Sequence, residues 1–230
     1  LLNHFEIKKP MVSYHRHNSD TRGNELVSRL LAGESCALVT DAGMPAISDP
    51  GEDLVRFCRG RELHVESVPG PSALITALSI SGMPSKRFCF EGFLSVEKKD
   101  REAHLESLRC DTHTLIFYEA PHRIIKTLTA MLNVFGDRYI SISREISKLH
   151  ESIYVGNISS AIDSFDEVKG EFVIVVSPSE EEISTDMSII EHVNMYIRSG
   201  LSSMDAIKRV SKERKIPKND VYREYHEGRK

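Results

Sequence analysis

Four stretches of this 230-residue chain concentrate residues able to do chemistry. The first is Thr40-Asp41-Ala42-Gly43-Met44-Pro45-Ala46-Ile47-Ser48-Asp49-Pro50-Gly51 and the second is Pro69-Gly70-Pro71-Ser72-Ala73. Both are rich in small residues, and backbone N–H groups in such turns can approach a ligand closely. The third, Tyr118-Glu119-Ala120-Pro121-His122-Arg123, and the fourth, Arg144 to Glu151, with five ionisable groups in eight residues, carry clustered charge. Clusters of that kind at strand ends suit anion binding and proton transfer. Ordinary tight turns and surface ion pairs would look the same in sequence.

The elements around these stretches put them at one kind of place. Ser35 to Val39 and Leu63 to Val68 read as strands, and Glu52 to Cys58 and Leu74 to Ile80 as the helices that follow, so each small-residue turn joins a strand to a helix. Ligands bind at that edge of an open α/β sheet. Upstream, Met11 to Tyr14 reads as a strand and Asn18 to Ala32 as a helix closed by Gly33. The alternation predicts a mostly parallel sheet in this first half. Turn residues gather at Ser81-Gly82-Met83-Pro84-Ser85, where a domain boundary is expected, giving 1–82 and 83–178.

The second half reads as strands at Phe88 to Phe90, Thr114 to Tyr118, Tyr139 to Ser143, Glu151 to Val155 and Glu171 to Ser177. Helices are predicted at Glu97 to Leu108, Pro121 to Phe135 and Ile158 to Phe165, with Pro121 tolerated in a first turn. Short links between the later strands make this sheet mixed. After an acidic linker at Ser179 to Glu182, Met187 to Ser199, Ser203 to Arg214 and Asn219 to His226 form a helical extension over 184–230. Residues 204–230 carry a net charge of +4 in a chain of −4, so residues 1–203 carry −8. That asymmetry suggests an anion-binding end, in which Lys208, Arg209, Lys212, Arg214, Lys215 and Lys218 could meet RNA phosphates; solvation of helix surfaces is the bland alternative.

With 40% hydrophobic and 28% charged residues the chain can bury a good core. No apolar run approaches the roughly 18 residues that span a bilayer, so no membrane role is expected. Cys36, Cys58, Cys89 and Cys110 have no Cys-x-x-Cys spacing and read as buried, reduced thiols of a cytoplasmic protein. His15-x-His17 is the nearest approach to metal-ligand spacing, and no metal is expected.

Six motifs occur in order: D-A-G-M-P-A-I-S-D-P-G, V-P-G-P-S-A-L-I-T-A-L, R-F-C-F-E-G-F-L, T-L-I-F-Y-E-A-P-H-R, S-R-E-I-S-K-L-H-E and K-G-E-F-V-I-V-V. Together they resemble the ribosomal RNA small subunit (cytidine-2'-O-)methyltransferases of the tetrapyrrole methylase superfamily. The resemblance covers residues 1 to 178. It implies two α/β domains with a cofactor cleft between them, S-adenosyl-L-methionine as cofactor, 16S ribosomal RNA near the decoding centre as substrate, and a homodimer.

The positions matching the family's cofactor contacts are Ala42, Gly43, Met44, Ile47, Ser72 and Ala73, with Tyr118 at the neighbouring strand end. Ala42 and Gly43 allow backbone approach, Ile47 offers an apolar wall, and Ser72 supplies a hydroxyl near a helix start. Many tetrapyrrole methylases have Gly-Asp-Pro where this chain has Gly43-Met44-Pro45, which favours the RNA-modifying branch. The chain opens on Leu1-Leu2-Asn3-His4-Phe5, and the resemblance implies a preceding segment with a first strand and a Thr-Pro-Ile-Gly-Asn loop, so that the first domain here would be incomplete.

A 2'-hydroxyl attacking a sulfonium methyl must be held in line and must lose its proton. Lys148, Glu119 or Glu145 could accept that proton, and Arg123 and Arg144 could hold adjacent phosphates. Positioning alone is the other possibility, and the sequence leaves the base unassigned. The competing functions are a precorrin or uroporphyrinogen methyltransferase of the same fold and a non-catalytic RNA-binding protein.

Overall fold

The computed structural model describes residues 2–15, 19–165, 169–179, 187–198, 201–214 and 216–227. The chain forms two compact units, Leu1–Ala73 and Leu74–Lys230.

In the first unit, α1 (Ser19–Leu31) packs on α2 (Glu52–Arg59). Leu26 and Val27 of α1 and Leu54 and Cys58 of α2 are its buried centre, flanked by Tyr14, Leu30, Phe57, Leu63 and Val65. Gly23 permits the close crossing, since a Cβ there would lie 3.1 Å from the Phe57 ring. α1 ends as predicted: Gly33 has φ 94°, and the Glu34 N–H reaches back to the Arg29 carbonyl.

The strands expected at 11–14, 35–39 and 63–68 are not formed, and among the described residues the first unit contains no sheet. A strand exists only through a neighbour that takes its N–H and C=O groups, and no ladder joins these segments. Val39 and Val68 are accordingly exposed, at 59% and 85%.

The second unit begins in α3 (Ala73–Ile80) and continues through β1 (Phe88–Phe93), α4 (Lys98–Leu108), β2 (Thr114–Glu119), a 3-10 turn at Pro121–Arg123, α5 (Ile124–Phe135), β3 (Tyr139–Arg144), β4 (Ser152–Asn157), α6 (Ile158–Ser164) and β5 (Phe172–Val176). One mixed sheet of order β1-β2-β5-β3-β4 results, with β1 and β2 parallel and the other pairs antiparallel. β5 lies at the centre, so Phe-Val-Ile-Val-Val needs no polar face and all five residues are buried. Leu115 and Phe117 of β2, Ile140 and Ile142 of β3 and Ile174 and Val176 of β5 share a core with Leu105 of α4, Leu128 and Met131 of α5 and Ile158 of α6. Truncating a residue such as Phe117 to Ala would cost about 3–5 kcal/mol.

The two units part at Ala73/Leu74, whereas the turn-rich 81–85 stretch had suggested 82/83. α3 goes with the second unit because Leu74, Ala77 and Leu78 are buried and the Leu74 N–H donates to the Tyr118 hydroxyl of β2 at 3.2 Å. Within the same unit, α7 (Ile189–Arg198), α8 (Ser203–Arg214) and α9 (Lys218–Glu227) enclose Val193, Ile207, Val210, Val221 and Tyr225 in a separate small core. The predicted linker residues 180–182, His17, Ser199, Gly200 and Lys215 fall outside the described residues.

Candidate functional site

The first small-residue loop holds several residues in the left-handed region: Gly43 at φ 72°, Ala46 at 65°, Ser48 at 58° and Gly51 at 138°. For Ala46 and Ser48 this conformation costs of the order of 1 kcal/mol each, strain that concentrates at binding sites. Thr40 Oγ1 donates to Asp49 Oδ2 at 2.8 Å and ties the loop across its base. A side chain at Gly51 would be strained at that φ, and its Cβ would push aside Leu38 Cδ2, 2.5 Å away.

The second loop lies against the first. A Cβ on Gly70 would stand 3.2 Å from Met44 Sδ, and one on Gly43 would stand 3.6 Å from the Pro71 carbonyl oxygen. Ala42, Gly43 and Ile47 are exposed at this junction, Met44 and Ser72 half-buried, and Ala73 is the first residue of α3. Small and exposed residues of the two loops therefore meet at this junction. Tyr118 stands at the end of β2 with the rings of Phe90 and Phe93 edge-on at 4.9 and 5.6 Å, its hydroxyl fixed by the α3 backbone.

Glu119 and Arg123 occupy a different environment from the one expected. The Glu119 side chain is fully buried. Its Oε1 accepts from the Ala120 N–H at 2.9 Å and lies 3.3 Å from Arg123 Nε, and its Oε2 accepts from Thr127 Oγ1 at 2.5 Å. Arg123 in turn donates to the carbonyls of Leu94 at 2.6 Å and Ser95 at 3.3 Å. Arg101 of α4, also buried, donates to the carbonyls of Ser95 and Val96. Two guanidinium groups from different elements thus hold the three carbonyls of the β1–α4 connection, with Glu119 as the countercharge for Arg123. Both Glu119 oxygens are engaged by donors of the protein interior, and Arg123 is turned inward. Arg101 escaped the sequence reading because only the fold shows that its helix turns it toward this loop.

The segment after β3 is a tight turn in which Glu145 and Ser147 have φ of 52° and 68°. Lys148 Nζ bridges Glu145 Oε1 at 2.9 Å and Glu171 Oε2 at 3.0 Å, and the Glu171 N–H donates to the same Glu145 oxygen at 2.9 Å. Hydrogen bonds to Glu145 and Glu171 raise the Lys148 ammonium above its ordinary value, and the bond from Lys148, then that from the Glu171 N–H, lower Glu145. Both shifts favour the charged pair, the opposite direction from that which a proton acceptor at neutral pH needs. Gly170, at φ 92°, lies so close to Glu145 that any Cβ there would collide with Glu145 Cγ. Arg144, half-buried, points its guanidinium toward the Phe172 ring at 6.0 Å.

On α8, Lys208 pairs with Asp205 at 3.2 Å, while Arg209 donates to Glu213 at 3.1 Å and stacks 4.9 Å above the Tyr196 ring. Tyr196 also donates to Glu213 at 2.7 Å, and desolvation with the Glu213 contact pushes its hydroxyl far up. Desolvation acts to raise Glu213, but hydrogen bonds from His192, Tyr196 and Arg209 outweigh it and hold the carboxyl below its usual range. Arg209 is therefore part of the packing of the helical extension, whereas Lys212 is exposed on the same helix. Tyr196 and Glu213 were not singled out in the sequence.

The cysteines differ from the buried set expected: Cys58 is buried, Cys36 exposed, and Cys89 and Cys110 half-buried, because the segment around Cys36 lacks the sheet that would have covered it. Among the described residues no helix is long and apolar enough to cross a membrane.

The fold and these loops define a class of enzyme. Residues 2–162 match the sequence profile of the tetrapyrrole (corrin/porphyrin) methylases, and the chain belongs to that family of S-adenosyl-L-methionine-dependent methyltransferases. Solved structures agree on the fold: the methyltransferase CobJ superposes with a TM-score of 0.52 at 16% identity, covering 69% of this chain and 70% of that one. The native uroporphyrin III C-methyl transferase from Thermus thermophilus gives 0.50 at 16%, covering 74% and 78%. In sequence the chain is far more similar to other members. It is 43% identical to the ribosomal RNA small subunit methyltransferase I of Halalkalibacterium halodurans over 99% of this chain and 81% of that protein. The Bacillus subtilis protein of the same name is 41% identical over 96% of this chain and 79% of its own length.

Proposed function

We propose that this chain methylates ribosomal RNA of the small subunit from S-adenosyl-L-methionine, at the 2'-oxygen of a cytidine in the decoding centre of 16S RNA, as a homodimer in the cytoplasm. The observation that carries the reading is its 43% identity, over nearly its whole length, to a protein named for methylation of small-subunit ribosomal RNA. The 16% identity to the methyltransferase CobJ and to the uroporphyrin III C-methyl transferase supports a shared fold alone.

When bound, S-adenosyl-L-methionine supplies a methyl group on a sulfonium sulfur that is open to in-line attack. The Gly43–Met44 and Gly70–Pro71 turns, with Ser72 and Ala73, offer the backbone groups to hold it, and Ile47 an apolar surface. Lys148 stays protonated beside Glu145 and Glu171, so it acts as a fixed positive charge facing RNA phosphate rather than as the base. Arg144, Lys208 and Lys212 extend that role. Glu119 and Arg123 shape the loop at 94–96. Among the described residues none of the candidates Glu119, Glu145 and Lys148 is set as a strong base, so positioning would carry the acceleration, the hydroxyl proton passing to water as the methyl leaves sulfur for the 2'-oxygen.

The test is methyl transfer from radiolabelled S-adenosyl-L-methionine to small ribosomal subunits and to naked 16S RNA, followed by alkaline hydrolysis. A 2'-O-methyl group protects its phosphodiester, so the label is expected in an alkali-resistant dinucleotide beginning with cytidine. Label released in a mononucleotide would place the methyl on a base and overturn the 2'-oxygen assignment; transfer to uroporphyrinogen and not to RNA would overturn the substrate class.

A further inference from the structure

Cys89, Asp111 and His113 each present one donor atom, and these atoms all lie within 4.8 Å of one another. Spacing along the chain gives no hint of the grouping, which arises from strand register. Cys89 is the second residue of β1 and pairs with Leu115 of β2, so parallel pairing brings it alongside the turn that carries Asp111 and His113 into β2. The turn is held in place: the Asp111 N–H donates to the Leu108 carbonyl at 3.0 Å, and the Asp111 carbonyl accepts from the Ser179 N–H at 2.8 Å. Asp111 Oδ1 accepts from the His113 N–H at 2.8 Å and lies 2.6 Å from His113 Nδ1. The His113 and Asp111 side chains are only 17% and 20% exposed, enough to admit an ion and too little for two freely solvated groups.

Sulfur, carboxylate oxygen and imidazole nitrogen form a borderline-soft set suited to zinc, with metal–ligand distances of about 2.0–2.3 Å. Such distances put tetrahedral ligands about 3.3–3.8 Å apart, so small side-chain rotations bring all three into range. One thiolate and one carboxylate also neutralise a divalent cation. Charges near the thiol come in both signs, Asp111 and Glu91 against Arg87 and Arg209, so its surroundings do not repel a cation outright. The cluster sits where β1 and β2 begin, at the opposite end of these parallel strands from Tyr118 and Glu119.

We propose that Cys89, Asp111 and His113 bind a zinc-class divalent cation, with water as fourth ligand, stapling the α4–β2 turn to β1. Binding exchanges the Cys89 S–H bond for a sulfur–metal bond and releases that proton to solvent.

Reduced, chelator-stripped protein titrated with cobalt(II) alone should take up one equivalent and develop the sulfur-to-cobalt charge-transfer absorption of a thiolate ligand. Zinc should bleach it. The band should be lost in Cys89→Ser, weakened at least tenfold in apparent affinity in His113→Gln, and unchanged in Cys36→Ser, Cys58→Ser and Cys110→Ser. Zinc at a hundredfold excess over Kd should raise the Tm of the unaltered chain by roughly 5–10 °C and leave Cys89→Ser unmoved. Absence of saturable cobalt binding to the unaltered chain, or a band that survives Cys89→Ser, overturns the site whatever the stability of the variants.

Discussion

The buried pair of Glu119 and Arg123 makes the sharpest test of how charge is used here. Replacing Arg123 by Met keeps most of the side-chain volume but removes the donors to the Leu94 and Ser95 carbonyls and leaves the fully buried Glu119 without its countercharge. Removing one partner of a buried pair costs about 3–5 kcal/mol, and the lower end applies because the Ala120 N–H and Thr127 hydroxyl still stabilise the carboxylate. In urea that is a midpoint lower by about 1–2 M at ordinary denaturant slopes. Glu119→Gln should cost about 2 kcal/mol, since the neutral amide leaves the Arg123 guanidinium without its countercharge. The double variant Arg123→Met with Glu119→Gln should be less destabilised than the two single costs added, by about 1–3 kcal/mol of coupling. Below its melting temperature Glu119→Gln should retain kcat within a few-fold. A kcat lower by the 100-fold or more expected of a lost general base, with stability unchanged, would refute the structural assignment of Glu119. An Arg123→Met variant of normal stability whose KM for RNA rose tenfold would refute that of Arg123.

Two further outcomes follow. The Glu145 contribution to its turn is present above the ordinary carboxylate pKa and lost as pH falls through the lowered value, whereas that of Lys148 is present below the ordinary amine pKa and lost as pH rises through the raised value. The bridge is therefore intact throughout the neutral range, and the pH profile of kcat should show no limb between about pH 6 and 9 that vanishes in Lys148→Ala; finding one would make Lys148 the base. On α8, Lys212→Ala should reduce the slope of log K for RNA against log salt by about 0.7–0.9, the signature of one phosphate contact, and an unchanged slope would remove Lys212 from the interface.

Much of the second unit was legible along the chain because its cues are local. The apolar run Phe172 to Val176 declared a strand, Pro121 a helical start, and Gly33 a helix end. The two small-residue turns were visible as composition, and their order with the other motifs pointed to the family. What only the tertiary structure decided is which groups become neighbours. Glu119 and Arg123 read as functional charges until the fold turns them toward each other, and Arg123, with the unremarked Arg101, toward the carbonyls of residues 94–96. The segments 11–14, 35–39 and 63–68 have strand-like composition, yet a strand needs a ladder partner, which composition does not supply. Cys89, Asp111 and His113 meet only through the register of β1 on β2. Propensity and periodicity act between residues a few positions apart and are written in the chain; countercharges, ladder partners and ligand sets join residues far apart in sequence, and only the folded backbone chooses them.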